Sequence, residues 1–77
     1  MIVRVECMGR IHEATGLHEI IADIASPATV AVLLDQLGIQ FPELATFRGR
    51  LSILAGLDYV DESHPLSADE TISLTVE

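Results

Sequence analysis

The sequence predicts an α+β fold, a mixed four- to five-stranded sheet with one main helix packed on one face. Three observations predict it. Segments of alternating apolar and polar residues open and close the chain, a single one-sided apolar stripe of helical period lies between them, and the elements run strand, strand, helix, then two or three strands. A helix with one apolar face needs a sheet to bury it, and these strands supply one.

The first strand spans Ile2 to Met8, with Val3, Val5 and Cys7 on one side and Arg4, Glu6 and Met8 on the other. Residues 10–16 hold no period and end in a glycine, so they read as a loop with at most one helical turn. A second strand, His18 to Ile24, sets Ile20, Ala22 and Ile24 against Glu19, Ile21 and Asp23 and stops before Pro27, which has no amide proton for a ladder. Thr29 then offers a side-chain oxygen to the first free amides of a helix, whose stripe is Val30, Leu33, Leu34 and Leu37. Gly38 is positioned to stop it by adopting a left-handed conformation. Leu51 to Ala55 reads as an apolar strand interrupted by Ser52. Gly56-Leu57-Asp58 reads as a turn with Gly56 at positive φ, followed by a short strand at Tyr59-Val60. After the acidic segment Asp61 to Asp69, Ile72, Leu74 and Val76 alternate with Thr71, Ser73 and Thr75 in a last strand. First and last strands, both apolar on one side, are expected to pair in parallel at the centre, which is the β-grasp arrangement.

Seventy-seven residues make one domain, residues 1–77, and 49% hydrophobic content is needed because a domain this small buries only about 60% of its unfolded surface. The lone Cys7 excludes an intrachain disulfide, a four-thiolate zinc site and a multi-cysteine iron–sulfur cluster. That composition fits a reducing compartment. With no leader pattern or long apolar run in the sequence, the expected location is cytoplasmic. Twelve acidic residues against four arginines and no lysine give −8, a charge that repels nucleic acid and anionic membrane and attracts a basic protein surface.

Catalytic constellations are poor, and no catalytic or metal-binding residue is assigned. Cys7 falls on the inward side of its strand, which is wrong for a reactive thiolate. His12, His18 and His64 have no ligand spacing on a shared helix. Asp61, Glu62, Asp69 and Glu70 fall in segments expected to be solvated, and the isolated glycines make no phosphate loop. A domain of this kind is expected to work by presenting a surface or a chain end.

Four segments in order carry a resemblance. Residues Met8 to Gly16 resemble the "FARLREATG" segment of the MoaD family, the small subunit of molybdopterin synthase and a ubiquitin-like sulfur carrier related to ThiS. Thr29-Val30 with Leu33-Leu34 resembles its "TV..LL" helix start, Phe41-Pro42-Glu43-Leu44 its "YPEL", and Tyr59-Val60 with His64-Pro65-Leu66 its "YV...PL". The likeness spans nearly the whole chain. It departs at Met8 and Gly9, where the family usually has phenylalanine and alanine, at His12 in place of arginine, and at Gly56 in place of asparagine.

The resemblance implies a ubiquitin-like fold and a non-catalytic carrier. Its C-terminal Gly-Gly would be adenylated by a ubiquitin-activating-type enzyme, converted to a thiocarboxylate, and inserted into the large, catalytic subunit of molybdopterin synthase. No cofactor is expected on the carrier itself, and ATP is used by the activating partner. The sequence ends at Glu77, about three or four residues before that Gly-Gly, so the transfer chemistry is expected of a form that carries it. The resemblance also places Met8 and Tyr59 in an exposed apolar patch shared by both partners, together with Leu74 or Thr75. Alternation points Leu74 inward, leaving Thr75 as the interface residue. Two alternatives stand beside this reading: a tail-less β-grasp adaptor that binds a partner without transferring sulfur, and a carrier serving thiamine, cysteine or tRNA sulfur chemistry.

Overall fold

The expected pairing of first and last strands forms the spine of the sheet. In the computed structural model, which describes residues 1–76 and leaves the chain end at Glu77 outside, β1 (Ile2–Cys7) and β5 (Thr71–Val76) run parallel. Val5 lies opposite Ile72, and Cys7 opposite Leu74. β2 (Glu19–Asp23) joins β1 antiparallel, while β3 (Leu51–Ala55) joins both β5 and β4 (Asp58–Val60) antiparallel. The order is β2-β1-β5-β3-β4, a five-stranded mixed sheet and a β-grasp. Gly56 opens the β3–β4 turn at φ 64°, where a side chain would be strained.

Alternation sorts the side chains as expected. Val3, Val5, Ile72 and Leu74 are fully buried on the face covered by the main helix, and Ile20, Ala22 and Ile53 join them. Each such Val, Leu or Ile side chain contributes about 1.5–3 kcal/mol relative to exposure. Cys7 belongs to this core, where burial pushes its thiol up while a bond to Thr15 opposes the shift in part.

The helices depart from expectation in four ways. Residues 10–15, expected as a loop with at most one helical turn, form the six-residue α1 (Arg10–Thr15), which buries Ile11 completely. The main helix, α2 (Val30–Gln40), does not stop at Gly38. It runs two residues further, to a non-helical Phe41 whose amide bonds to the Leu37 carbonyl, because Pro42 disfavours helical backbone in the residue before it. Thr29 does not cap α2 with its side chain. The amides of Val30 and Ala31 instead donate to the carbonyls of His64 and Glu62, at 3.0 and 2.9 Å, so a distant loop satisfies the helix start. A further short helix, α3 (Glu43–Phe47), and a 3-10 turn at Arg48–Arg50 lead into β3.

Arg48 fastens these parts. Its guanidinium donates to the Glu62 carboxylate at 2.7 Å, to the Ala31 carbonyl at 3.3 Å, and to Asp35. These bonds, Glu62 first, raise its already high pKa.

Candidate recognition face

The sheet has a helix-free face, and register decides what stands on it. Partners across a ladder share a face, so Arg4 and Glu6 of β1 stand beside Thr71 and Ser73 of β5. The Met8 amide donates to the Leu74 carbonyl at 3.1 Å, which extends the ladder one step beyond β1 and sets Met8 beside Thr75. Thr75 in turn faces Ser52, Ser73 faces Leu54, and Leu54 faces Tyr59. All three residues singled out from sequence, Met8, Tyr59 and Thr75, therefore lie on the same face.

They are not one contiguous cluster. Met8 and Thr75 are neighbours, whereas Tyr59 lies three strands from Met8, roughly 14 Å across the sheet at the usual strand spacing. Leu54 is the missing link. Half-buried between Tyr59 and Ser73, it stands one row back from the Met8–Thr75 pair, midway along β5, and fills the space between the two parts of the band. Its side was hidden in the sequence because β3 is apolar on both faces. Ser52 is no interruption but the polar member of the outward row.

The band pairs exposed apolar groups with acid. Met8 is 49% and Tyr59 74% exposed, which costs solvation with no return inside the chain. Glu6, one row below Met8, accepts a bond from the Ser73 hydroxyl at 3.3 Å. Asp61, just past β4, accepts bonds from the Ser63 amide at 2.9 Å and the Ser63 hydroxyl, which hold its carboxyl below the usual range. This arrangement suits recognition of a partly apolar, partly basic surface.

The other sequence candidates fall elsewhere. His12 and His18, scattered in sequence, meet as a stack with ring centroids 3.9 Å apart, and His12 Nδ1 lies 2.9 Å from the Leu17 carbonyl. No group of three metal-ligating side chains converges among the described residues. Glu70 is not the fully solvated acid expected from sequence. Only 20% exposed, it meets His64 Nε2 at 3.1 Å and accepts the Ser67 amide at 3.1 Å, closing its loop. Glu62 is engaged by Arg48. A half-open apolar groove of about 370 Å³ lies between α2 and α3, floored by Leu34, Leu44 and Leu51 with the Asp35–Arg48 pair beside it. No helix among the described residues is long and apolar enough to cross a membrane.

Comparison with known proteins matches the shape and little of the sequence. No protein-family model matches the chain, and no curated protein sequence does so significantly. Among solved structures, the crystal structure of SAMP1 from Haloferax volcanii is similar at a TM-score of 0.91 and 16% identity, over 100% of this chain and 96% of that one. A crystal structure of H. volcanii small archaeal modifier protein 1 is similar at 0.85 and 17% identity, over 95% and 93%. A putative molybdopterin converting factor, subunit 1, from Pyrococcus furiosus is similar at 0.83 and 15% identity, over 96% and 94%. At such identities the likeness establishes the fold, a ubiquitin-like β-grasp.

Proposed function

We propose that this chain is the body of a sulfur carrier of the MoaD/ThiS type, resembling the small subunit of molybdopterin synthase and acting without catalytic groups of its own. One observation carries the reading: exposed Met8 stands beside Thr75 near the end of β5, with half-buried Leu54 and exposed Tyr59 one row back on the same face. A partner that grips this band has the following residues within reach. The fold shared with the P. furiosus converting factor supports the same reading, as does the ordered likeness of four sequence segments.

In this reading the globular body recognises and the C-terminal carboxylate, in a form carrying the family's Gly-Gly, reacts. Its partners are a ubiquitin-activating-type enzyme, which spends ATP to adenylate that carboxylate, and the large subunit of molybdopterin synthase, which takes the sulfur. The setting is the cytoplasm. The similarity to a small archaeal modifier favours a second use of the same body, as a protein modifier. Both uses employ the band and differ in what the chain end is joined to.

The test is capture of the large subunit of molybdopterin synthase by the wild-type chain and by Met8→Glu/Tyr59→Ala. Loss of capture with an unchanged fold supports the reading, and undiminished capture overturns it. Incubation of the natural full-length form with the activating enzyme, ATP and a sulfur donor is expected to replace one carboxyl oxygen by sulfur, read by intact mass. Attachment of the chain to other proteins, with no such exchange, would favour the modifier.

A further inference from the structure

The β2 edge carries an ordered set of donors, acceptors and charges independent of the carrier reading. In the β1–β2 ladder, Cys7 bonds to His18 and Met1 to Ile24, in both directions for the latter pair. By alternation the even-numbered residues of β2 turn their backbone groups toward β1, and Glu19, Ile21 and Asp23 turn theirs away. β2 is the outermost strand, so these groups face outward. Gln36 of α2 covers one of them, donating to the Asp23 carbonyl at 3.1 Å, and leaves Glu19 and Ile21 facing out. On the helix-free side the same three residues present acid, isoleucine, acid, with Ile21 55% exposed and the Asp23 carboxylate 83% exposed. Arg4 stands across from Ile21 and pairs with Glu19 at 3.4 Å.

We propose that this edge receives an extended segment of a partner protein with the pattern basic-x-apolar-x-basic, added antiparallel as a sixth strand, its apolar residue in a hydrogen-bonded pair with Ile21. The edge sets the conformation of the occupant, because only an extended backbone meets donors and acceptors spaced every second residue. The outward row sets its side chains: an apolar group against Ile21, and cations against Glu19 and Asp23. A second copy of the chain does not fit. Antiparallel self-pairing with full overlap puts Glu19 of each copy opposite Asp23 of the other, and each copy brings a net −8.

The probe is a capped synthetic peptide, Ser-Arg-Ser-Ile-Ser-Arg-Ser, titrated into the isotopically labelled chain. The expected result is amide shifts centred on Glu19–Asp23, slowed hydrogen exchange at Ile21, and an affinity that falls with added salt. N-methylation of the peptide isoleucine removes a ladder donor and should weaken binding about tenfold. The Glu19→Lys/Asp23→Lys variant, altered only at exposed positions, should lose the arginine peptide and bind its glutamate counterpart. Equal binding of the N-methylated peptide, shifts spread over the acidic surface without focus on β2, or a concentration-dependent dimer through Ile21 would each overturn the proposal.

Discussion

Arg4 and Val5 are adjacent in β1, as Leu74 and Thr75 are in β5, yet each pair divides between two sides of one sheet. On the helix side Val5 and Leu74 are fully buried among aliphatic neighbours, and no charged side chain is buried among the described residues. On the other side Arg4 pairs with Glu19, Ser73 bonds to Glu6, and Met8 and Tyr59 stand exposed. The contrast teaches that one backbone period packs one side of the sheet and leaves the other to solvent without separate segments for either.

The strongest test of that division is a pair of substitutions one residue apart. Leu74→Ala removes a fully buried side chain and should cost about 3 kcal/mol in urea unfolding, a large share of the stability of so small a domain. Thr75→Ala, on the outward side, should stay within about 0.5 kcal/mol. Comparable losses would mean that the outward face also carries the fold.

The recognition face should show the reverse behaviour. In the double variant Met8→Glu/Tyr59→Ala, affinity for the molybdopterin synthase large subunit should fall at least about tenfold. Its melting temperature should stay close to that of the wild type, since both side chains are substantially exposed. Leu54→Ala sharpens the point. If Leu54 bridges the two halves of the band, its removal should weaken capture although it touches only one end of the Met8–Tyr59 span, as surface plasmon resonance would read.

All five strands and the main helix were legible in the sequence because each runs long enough to show its period, or lies beside a glycine turn that marks its end. α1 and α3 were not: six and five residues give barely one turn and a half, and each buries a single large side chain, Ile11 or Leu44. The site was half legible. Alternation places Met8 and Thr75 outward, but only the strand order brings Tyr59 to the same face. The His12–His18 stack depends on a contact between α1 and the start of β2 that no spacing announces.

Gly38 separates local signal from tertiary outcome. The residue sits inside α2 with ordinary helical backbone, and a methyl group there would meet nothing within 4 Å. Gly38→Ala should therefore stabilise the chain by about 0.5–1 kcal/mol in thermal or urea unfolding, through helix propensity alone. A loss of stability would mean that the expected stop signal still acts on α2 in solution. Capture of the partner by the outward band should not change.

The smallest expected effect concerns the acid response of the two faces. The core holds no carboxylate, and the Cys7 thiol, raised by burial, stays neutral throughout the acid range, so packing on that side does not respond to falling pH. The segment leading away from Tyr59 does respond. The Asp61 carboxyl is lowered chiefly by the Ser63 hydroxyl, so its contribution is fully present above the ordinary carboxylate pKa of about 4 and is lost as the pH drops through the lower folded value. Melting curves between neutral pH and pH about 3 should show a slightly smaller acid loss for Asp61→Asn than for the wild type. The variant cannot gain a proton at that position, and the amide keeps an oxygen for the Ser63 amide. An identical acid loss in both chains would mean that the Asp61–Ser63 bonds carry no acid sensitivity.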